Sequence, residues 1–115
     1  MGVQKVTINP NTSVWNYGNS TPITSTSDVS IKGAGGSRVY NYLAGLQFVN
    51  TGATATVVVV KNGSTVIWAG NAQQNVPVIV NFSTPLKSNA NTAFNFACLT
   101  TGASVIVSAQ GYQPI

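Results

Sequence analysis

The segment that constrains the fold most strongly is a hairpin pattern in the middle of the chain. Four consecutive valines at 57–60 lead into Asn62-Gly63, and β-branched and aromatic residues follow at 65–68. Asn-Gly between two such runs is typical of a two-residue β-hairpin turn. A strand with one face in solvent alternates apolar and polar residues, so the unbroken valine run predicts burial on both faces. The segment therefore predicts a hairpin inside a sandwich or beneath a partner.

The rest of the chain predicts further short strands separated by turns. They are expected at 3–8, 29–32, 38–50, 76–82, 91–99 and 104–110. Gly45 interrupts the third of these and predicts a bulge or bend, while Ser83-Thr84-Pro85-Leu86 predicts a turn. No segment has the apolar period of a helix. The pattern indicates an all-β chain, an antiparallel β-sandwich of about eight strands.

The length of 115 residues allows one domain with one core. Within it, residues 1–27 are expected to form an N-terminal strand and an extended arm or loop, and residues 28–115 the sandwich. The part of the arm at 11–27 is rich in Ser, Thr and Asn, and is expected to hold at most one short strand. In an assembly such an arm reaches across a neighbour, which makes its aromatics, Trp15 and Tyr17, candidate contact residues.

Charged residues make up only 5% of the chain, and hydrophobic residues 43%. A surface so weakly charged repels its neighbours weakly, which suits a chain packed against other chains. The cations are far apart in the sequence, so we expect no basic patch and no nucleic-acid binding, although an acidic protein partner is compatible with them. No run is long enough to span a membrane. The cations are Lys5, Lys32, Arg38, Lys61 and Lys87.

The residues that most enzymes require are missing. The chain has no histidine, and Asp28 is its single acidic residue. Paired-carboxylate, triad and His/Cys metal-site chemistry are therefore excluded, and we expect no catalytic residue, metal or cofactor. Cys98 is the single cysteine, which excludes an internal disulfide and is compatible with folding in a reducing cytoplasm. It lies in an apolar run, and we expect it to be a small buried side chain.

From residue 43 onward the order of strand and turn motifs resembles small structural proteins of tailed bacteriophages, the capsid cement or decoration proteins with a jelly-roll sandwich. The resemblance covers roughly the last two thirds of the chain, and its motifs are strand and turn patterns of moderate specificity. The segments that carry it are LAGLQFVNT at 43–51, KNGSTVIW at 61–68, FSTPL at 82–86, ANTAFN at 90–95 and AQGY at 109–112.

The resemblance implies a protein that is made in the cytoplasm of a host bacterium and added to the outer surface of a phage capsid. There it would bridge neighbouring major capsid subunits, and we expect it to be a homo-oligomer on the shell. The residues expected to contact the partner are the large aromatics in or beside loops and the last residues of the chain. They are Trp15, Tyr17, Tyr40, Tyr42, Tyr112 and Ile115.

Two other functions remain open from the sequence. One is a carbohydrate-binding module of a tail fibre or baseplate, which would use exposed aromatics with Asn and Gln side chains. The other is a neck component present in few copies. The face of each strand tyrosine is also open, because a strand alternates faces and Tyr40 or Tyr42 can equally point inward.

Overall fold

The computed structural model describes residues 12–114, and the strand predicted at 3–8 lies outside this range. The described residues form eight strands and no helix. The strands are β1 (Thr12–Gly18), β2 (Val29–Lys32), β3 (Tyr42–Asn50), β4 (Thr56–Asn62), β5 (Thr65–Ala72), β6 (Val78–Lys87), β7 (Phe94–Cys98) and β8 (Val105–Pro114).

The strands form two antiparallel four-stranded sheets, with the orders β1-β8-β3-β6 and β2-β7-β4-β5. The first strand pairs with the last, the second with the seventh, the third with the sixth and the fourth with the fifth. The chain is thus one long antiparallel ribbon wrapped on itself, which brings β8 beside β3 and β7 beside β4. This winding defines a jelly roll and confirms the predicted all-β sandwich.

The predicted central hairpin is present as β4 and β5. Asn62 pairs with Thr65, so the two loop residues are Gly63 and Ser64 rather than Asn62 and Gly63. Gly63 has a φ of 65°, the left-handed conformation that a type II′ turn requires at its first central residue. The asparagine ends the strand, and the glycine makes the turn possible.

The core lies between the two sheets and is built from the inward residues of every strand. In β4, Val58 and Val60 point into this core, while Val59 lies on the opposite face and is still buried, between Ala69 and Ala97 of the neighbouring strands. The burial of the valine run on both faces, predicted from its lack of alternation, is therefore present.

Strand β6 differs from the prediction. Residues 83–86 do not turn the chain away, because β6 continues to Lys87. Leu43 of β3 pairs with Leu86, whereas Gly45 pairs with Asn81, so β6 carries extra residues opposite this part of β3. The predicted irregularity at Gly45 is confirmed, since the register shifts there against both neighbouring strands. A proline without an N–H group is tolerated in such a bulge on an edge strand.

Two fully buried asparagines hold the loops at opposite ends of the sandwich. At one end the Asn50 side chain hydrogen-bonds to backbone groups of three other segments. At the other end Asn41 donates from Nδ2 to the carbonyl oxygens of Gly33 (3.0 Å) and Thr92 (3.2 Å), and its Oδ1 accepts from Gln113 (2.7 Å). Because each amide joins segments from both sheets, these two residues fix how the sheets meet at their ends.

Candidate interaction surface

The outward face of the sheet β1-β8-β3-β6, called here the outer sheet face, carries the most exposed apolar side chains of residues 12–114. Alternation in β3 assigns the two faces: Leu43, Leu46 and Phe48 are buried in the core, while Gln47 and Val49 are half-buried on the outside. The outer sheet face divides into an aromatic end, a polar middle and an aliphatic end.

At the aromatic end a row of side chains crosses all four strands. Val14 is opposite Tyr112, Tyr112 is opposite Tyr42, and Tyr42 is opposite Lys87. The Tyr42 and Tyr112 rings stack with centroids 4.8 Å apart and an interplanar angle of 6°. The Lys87 ammonium lies 4.3 Å from the Tyr40 ring centroid and 5.9 Å from that of Tyr42, within cation–π range. The tyrosine cluster is defined as Tyr40, Tyr42, Tyr112 and Lys87.

The polar middle is a closed amide network. Gln47 Nε2 donates to Gln110 Oε1 at 2.9 Å, and Gln110 Nε2 donates back to Gln47 Oε1 at 2.8 Å. The Ser108 hydroxyl also donates to Gln47 Oε1, at 3.3 Å. Since these side chains satisfy one another, this strip presents fixed dipoles and no net charge.

The aliphatic end is an open groove of about 270 Å³ without a charged lining residue. Val49 and Ile106 are a cross-strand pair in its wall, and Ile79 stands beside them on β6. Ile79 is 71% exposed and Ile106 42% exposed, and the nearby Val76 is also exposed. Exposed aliphatic side chains gathered in one place are typical of a surface that contacts another macromolecule.

The structure brings together three of the six predicted contact residues, since Tyr40, Tyr42 and Tyr112 all belong to the tyrosine cluster. Ile115 lies outside the described residues. Trp15 and Tyr17 differ from the expectation of an exposed arm, because β1 pairs along its whole length with β8 and both residues point to the core side. Trp15 is only 8% exposed, and its indole ring lies 6.5 Å from the ring of Phe94.

Sequence reasoning missed the exposed aliphatic residues of this surface. Val14 is 75% exposed, although it precedes the buried Trp15 in a segment expected to be a loop. Ile79 lies between the half-buried Val78 and Val80 in an apolar run, and only the alternation of faces along β6 makes Ile79 the exposed residue. The signal that could have found these residues is the two-residue period of each strand, once its core face is known.

The electrostatics of the surface are simple because the chain has one acidic residue. Asp28 accepts a hydrogen bond from Lys61 Nζ at 2.8 Å, an ion pair on the other sheet.

Cys98 is buried, and burial raises the pKa of its thiol. Residues 12–114 contain no group of three or more His, Cys, Asp or Glu side chains that could hold a metal ion. In the same range there is no helix that could cross a membrane.

No family model matches the sequence, and no curated protein matches it. Among solved structures, the coat protein of Tobacco streak virus is similar, with a TM-score of 0.54 and 11% identity over 96% of this chain and 91% of that chain. A second is the virus-like particle of the extra small virus of the giant freshwater prawn Macrobrachium rosenbergii. Its TM-score is 0.45, with 11% identity over 98% of this chain and 84% of that chain. The first likeness shows a shared fold, the β-sandwich of a viral coat protein.

Proposed function

We propose that this protein is a structural component of a virion. More narrowly, it is a cement or decoration protein that binds the outer surface of a bacteriophage capsid and bridges major capsid subunits, as a homo-oligomer on the shell. The observation that carries the proposal is the outer sheet face, a rigid surface with exposed Val14, Ile79 and Ile106 on a frame shared with a viral coat protein. The motif resemblance to phage decoration proteins supports the narrower statement.

The mechanism is burial of apolar surface repeated over many copies. Covering an exposed isoleucine such as Ile79 contributes about 1–2 kcal/mol, so one patch gives a weak contact. A shell repeats that contact, and a copy that touches two subunits at once gains from a high effective concentration. A small chain with few charges can therefore hold a shell together without any single tight site.

Carbohydrate binding on a tail fibre or baseplate is the second candidate function, and the amide side chains of Gln47 and Gln110 beside tyrosines favour it. The ring faces are less favourable, since Tyr42 and Tyr112 each have one face in their mutual stack and the Lys87 ammonium lies over the Tyr40 ring. Sugars stack on open aromatic faces, so the packing in the tyrosine cluster favours a protein partner. A glycan array probed with the isolated chain separates the two functions.

The proposal is tested by binding the purified chain to capsids of its own virus that lack it. Ile79→Asn places an amide in the aliphatic end and is expected to weaken binding by about fivefold or more per contact. Leu99→Asn is the matched control, because Leu99 is 57% exposed but lies on the other sheet, after β7. Equal binding by the two variants, or no binding by the unmodified chain, would contradict the proposal.

A further inference from the structure

The winding of the jelly roll gathers cations that the sequence keeps apart. Lys32 pairs with Phe94 in one sheet, and Lys87 pairs with Tyr42 in the other. Asn41 hydrogen-bonds to the carbonyl oxygens of Gly33 and Thr92, which joins these two sheet ends. Arg38 lies in the connection between β2 and β3 at the same end, next to Val39, whose carbonyl accepts a hydrogen bond from Asn91 N at 2.8 Å.

The cationic end is therefore defined as Lys32, Arg38 and Lys87, at the end of the sandwich that also carries the tyrosine cluster. Lys61 is near this end too, since the residue after it, Asn62, is in register with Phe94. Its charge is neutralised by Asp28 at 2.8 Å, however. Among residues 12–114 this is the one ion pair, so three cations at one end have no acidic partner. The sequence predicts no basic patch, and the strand pairing adds that Lys32, Arg38 and Lys87 lie at the same end of the sandwich.

The composition of the chain limits what can meet these charges. Asp28 is the single acidic side chain of the sequence and is already paired with Lys61, so a second copy has no free side-chain carboxylate to offer. A surface with several carboxylates is therefore supplied by a different protein rather than by the side chains of a second copy. Unpaired charges gathered at one end steer association with a surface of opposite sign and fix its orientation.

A protein surface fits the cationic end better than a nucleic acid does. Three unpaired cations neutralise at most about three phosphates, and the electrostatic part of nucleic-acid affinity grows with each phosphate neutralised, so it is small here. Stacking of bases also needs open aromatic faces, and here the stack takes one face each of Tyr42 and Tyr112 while Lys87 lies over the Tyr40 ring. A few carboxylates held beside exposed tyrosine edges suit this arrangement, because they need only a small number of cations.

We propose that the cationic end docks onto a carboxylate-rich surface of another protein. The inference deepens the proposed function and rests on it, since the partner is then the shell protein and the cationic end sets how the chain is oriented on it. The aliphatic end of the outer sheet face supplies apolar contact, and the cationic end fixes the orientation of the chain on its partner. Lys87 is the best-placed cation, because two tyrosine rings hold its ammonium group.

The test uses poly-L-glutamate as the acidic polypeptide and poly(dT) of the same charge as the nucleic-acid probe, at low and physiological salt. Lys87→Gln removes an unpaired positive charge, and D28N/K61Q is its control, because it removes the Asp28–Lys61 ion pair and leaves the net charge unchanged. We expect Lys87→Gln to weaken polyglutamate binding by about two- to fivefold. D28N/K61Q is expected to change it by less than about 1.5-fold, and K32Q/R38Q/K87Q to weaken it by roughly tenfold or more.

Equal binding by the triple variant and the unmodified chain would overturn the inference, as would an equal loss in Lys87→Gln and D28N/K61Q. Tighter binding to poly(dT) than to polyglutamate would also overturn it, in favour of a nucleic-acid surface. Circular dichroism of each variant establishes that the fold is intact. The proposed function fails on a different result, the absence of binding to capsids at any salt, so the two failures are distinguishable.

Discussion

Replacing Asn50 with alanine is expected to destabilise the protein by about 2–6 kcal/mol. The Asn50 side chain is fully buried and makes four hydrogen bonds to backbone groups. Its Nδ2 donates to the carbonyl oxygens of Thr54 (2.7 Å) and Ala72 (3.0 Å), and its Oδ1 accepts from the amides of Gly52 (2.9 Å) and Ser104 (3.0 Å). Each bond contributes about 0.5–1.5 kcal/mol, and alanine replaces none of them.

Urea unfolding followed by tryptophan fluorescence measures this change, with Asn81→Ala as the control because Asn81 is an exposed asparagine of β6. Asn81→Ala is expected to change the free energy of unfolding by less than about 0.5 kcal/mol. The loss expected for Asn50→Ala is a large part of the total stability, since small domains have about 5–15 kcal/mol in all. Equal midpoints for the two variants would refute the assignment of Asn50 as the tie between the sheets at this end.

Three further outcomes are expected. Gly111→Ala should lower the free energy of unfolding by about 3 kcal/mol or more in the same urea assay, because the added Cβ would overlap the carbonyl oxygen of Tyr42. Gly18→Ala is the control: its Cβ meets open space, and it should change the free energy of unfolding by less than about 0.5 kcal/mol. The Cys98 thiol is buried and should react with Ellman's reagent at pH 8 only on unfolding. Its raised pKa should contribute stability that is present below the unfolded pKa of about 8.5 and is lost as pH rises through the folded pKa. Cys98→Ala should not show this loss of stability. Tyr112→Ala removes the stack on Tyr42 and should cost about 0.5–1.5 kcal/mol by thermal unfolding, and no change would show that the stack adds nothing.

Much of the fold could be predicted from local sequence. The valine run, the glycine of the hairpin turn and the irregularity at Gly45 each report a local backbone requirement, and all three are present. The turn predicted at 83–86 was wrong, because a Ser-Thr-Pro run is equally compatible with a turn and with a bulged edge strand. Which of the two occurs depends on the partner strand, which local sequence does not reveal.

The candidate surface could be predicted only in part, and for a different physical reason. The sequence shows that strand residues alternate, but the face that meets the core is fixed by pairing between distant strands. Pairing with β8 therefore places Trp15 in the core opposite Gly111 and leaves Val14 exposed on the other face. The cationic end was missed because three strands lie between β2, which carries Lys32, and β6, which carries Lys87, and only the winding of the ribbon brings these two residues to the same end.

Quantitative mass spectrometry of purified virions measures how many copies of this chain accompany each major capsid protein. A decoration protein is predicted to approach a fixed, near-stoichiometric ratio to the major capsid protein. The same measurement is expected to find fewer copies per particle for Ile79→Asn. A handful of copies per particle would indicate a neck or tail component instead. Absence of the chain from purified particles would contradict a structural role in the virion.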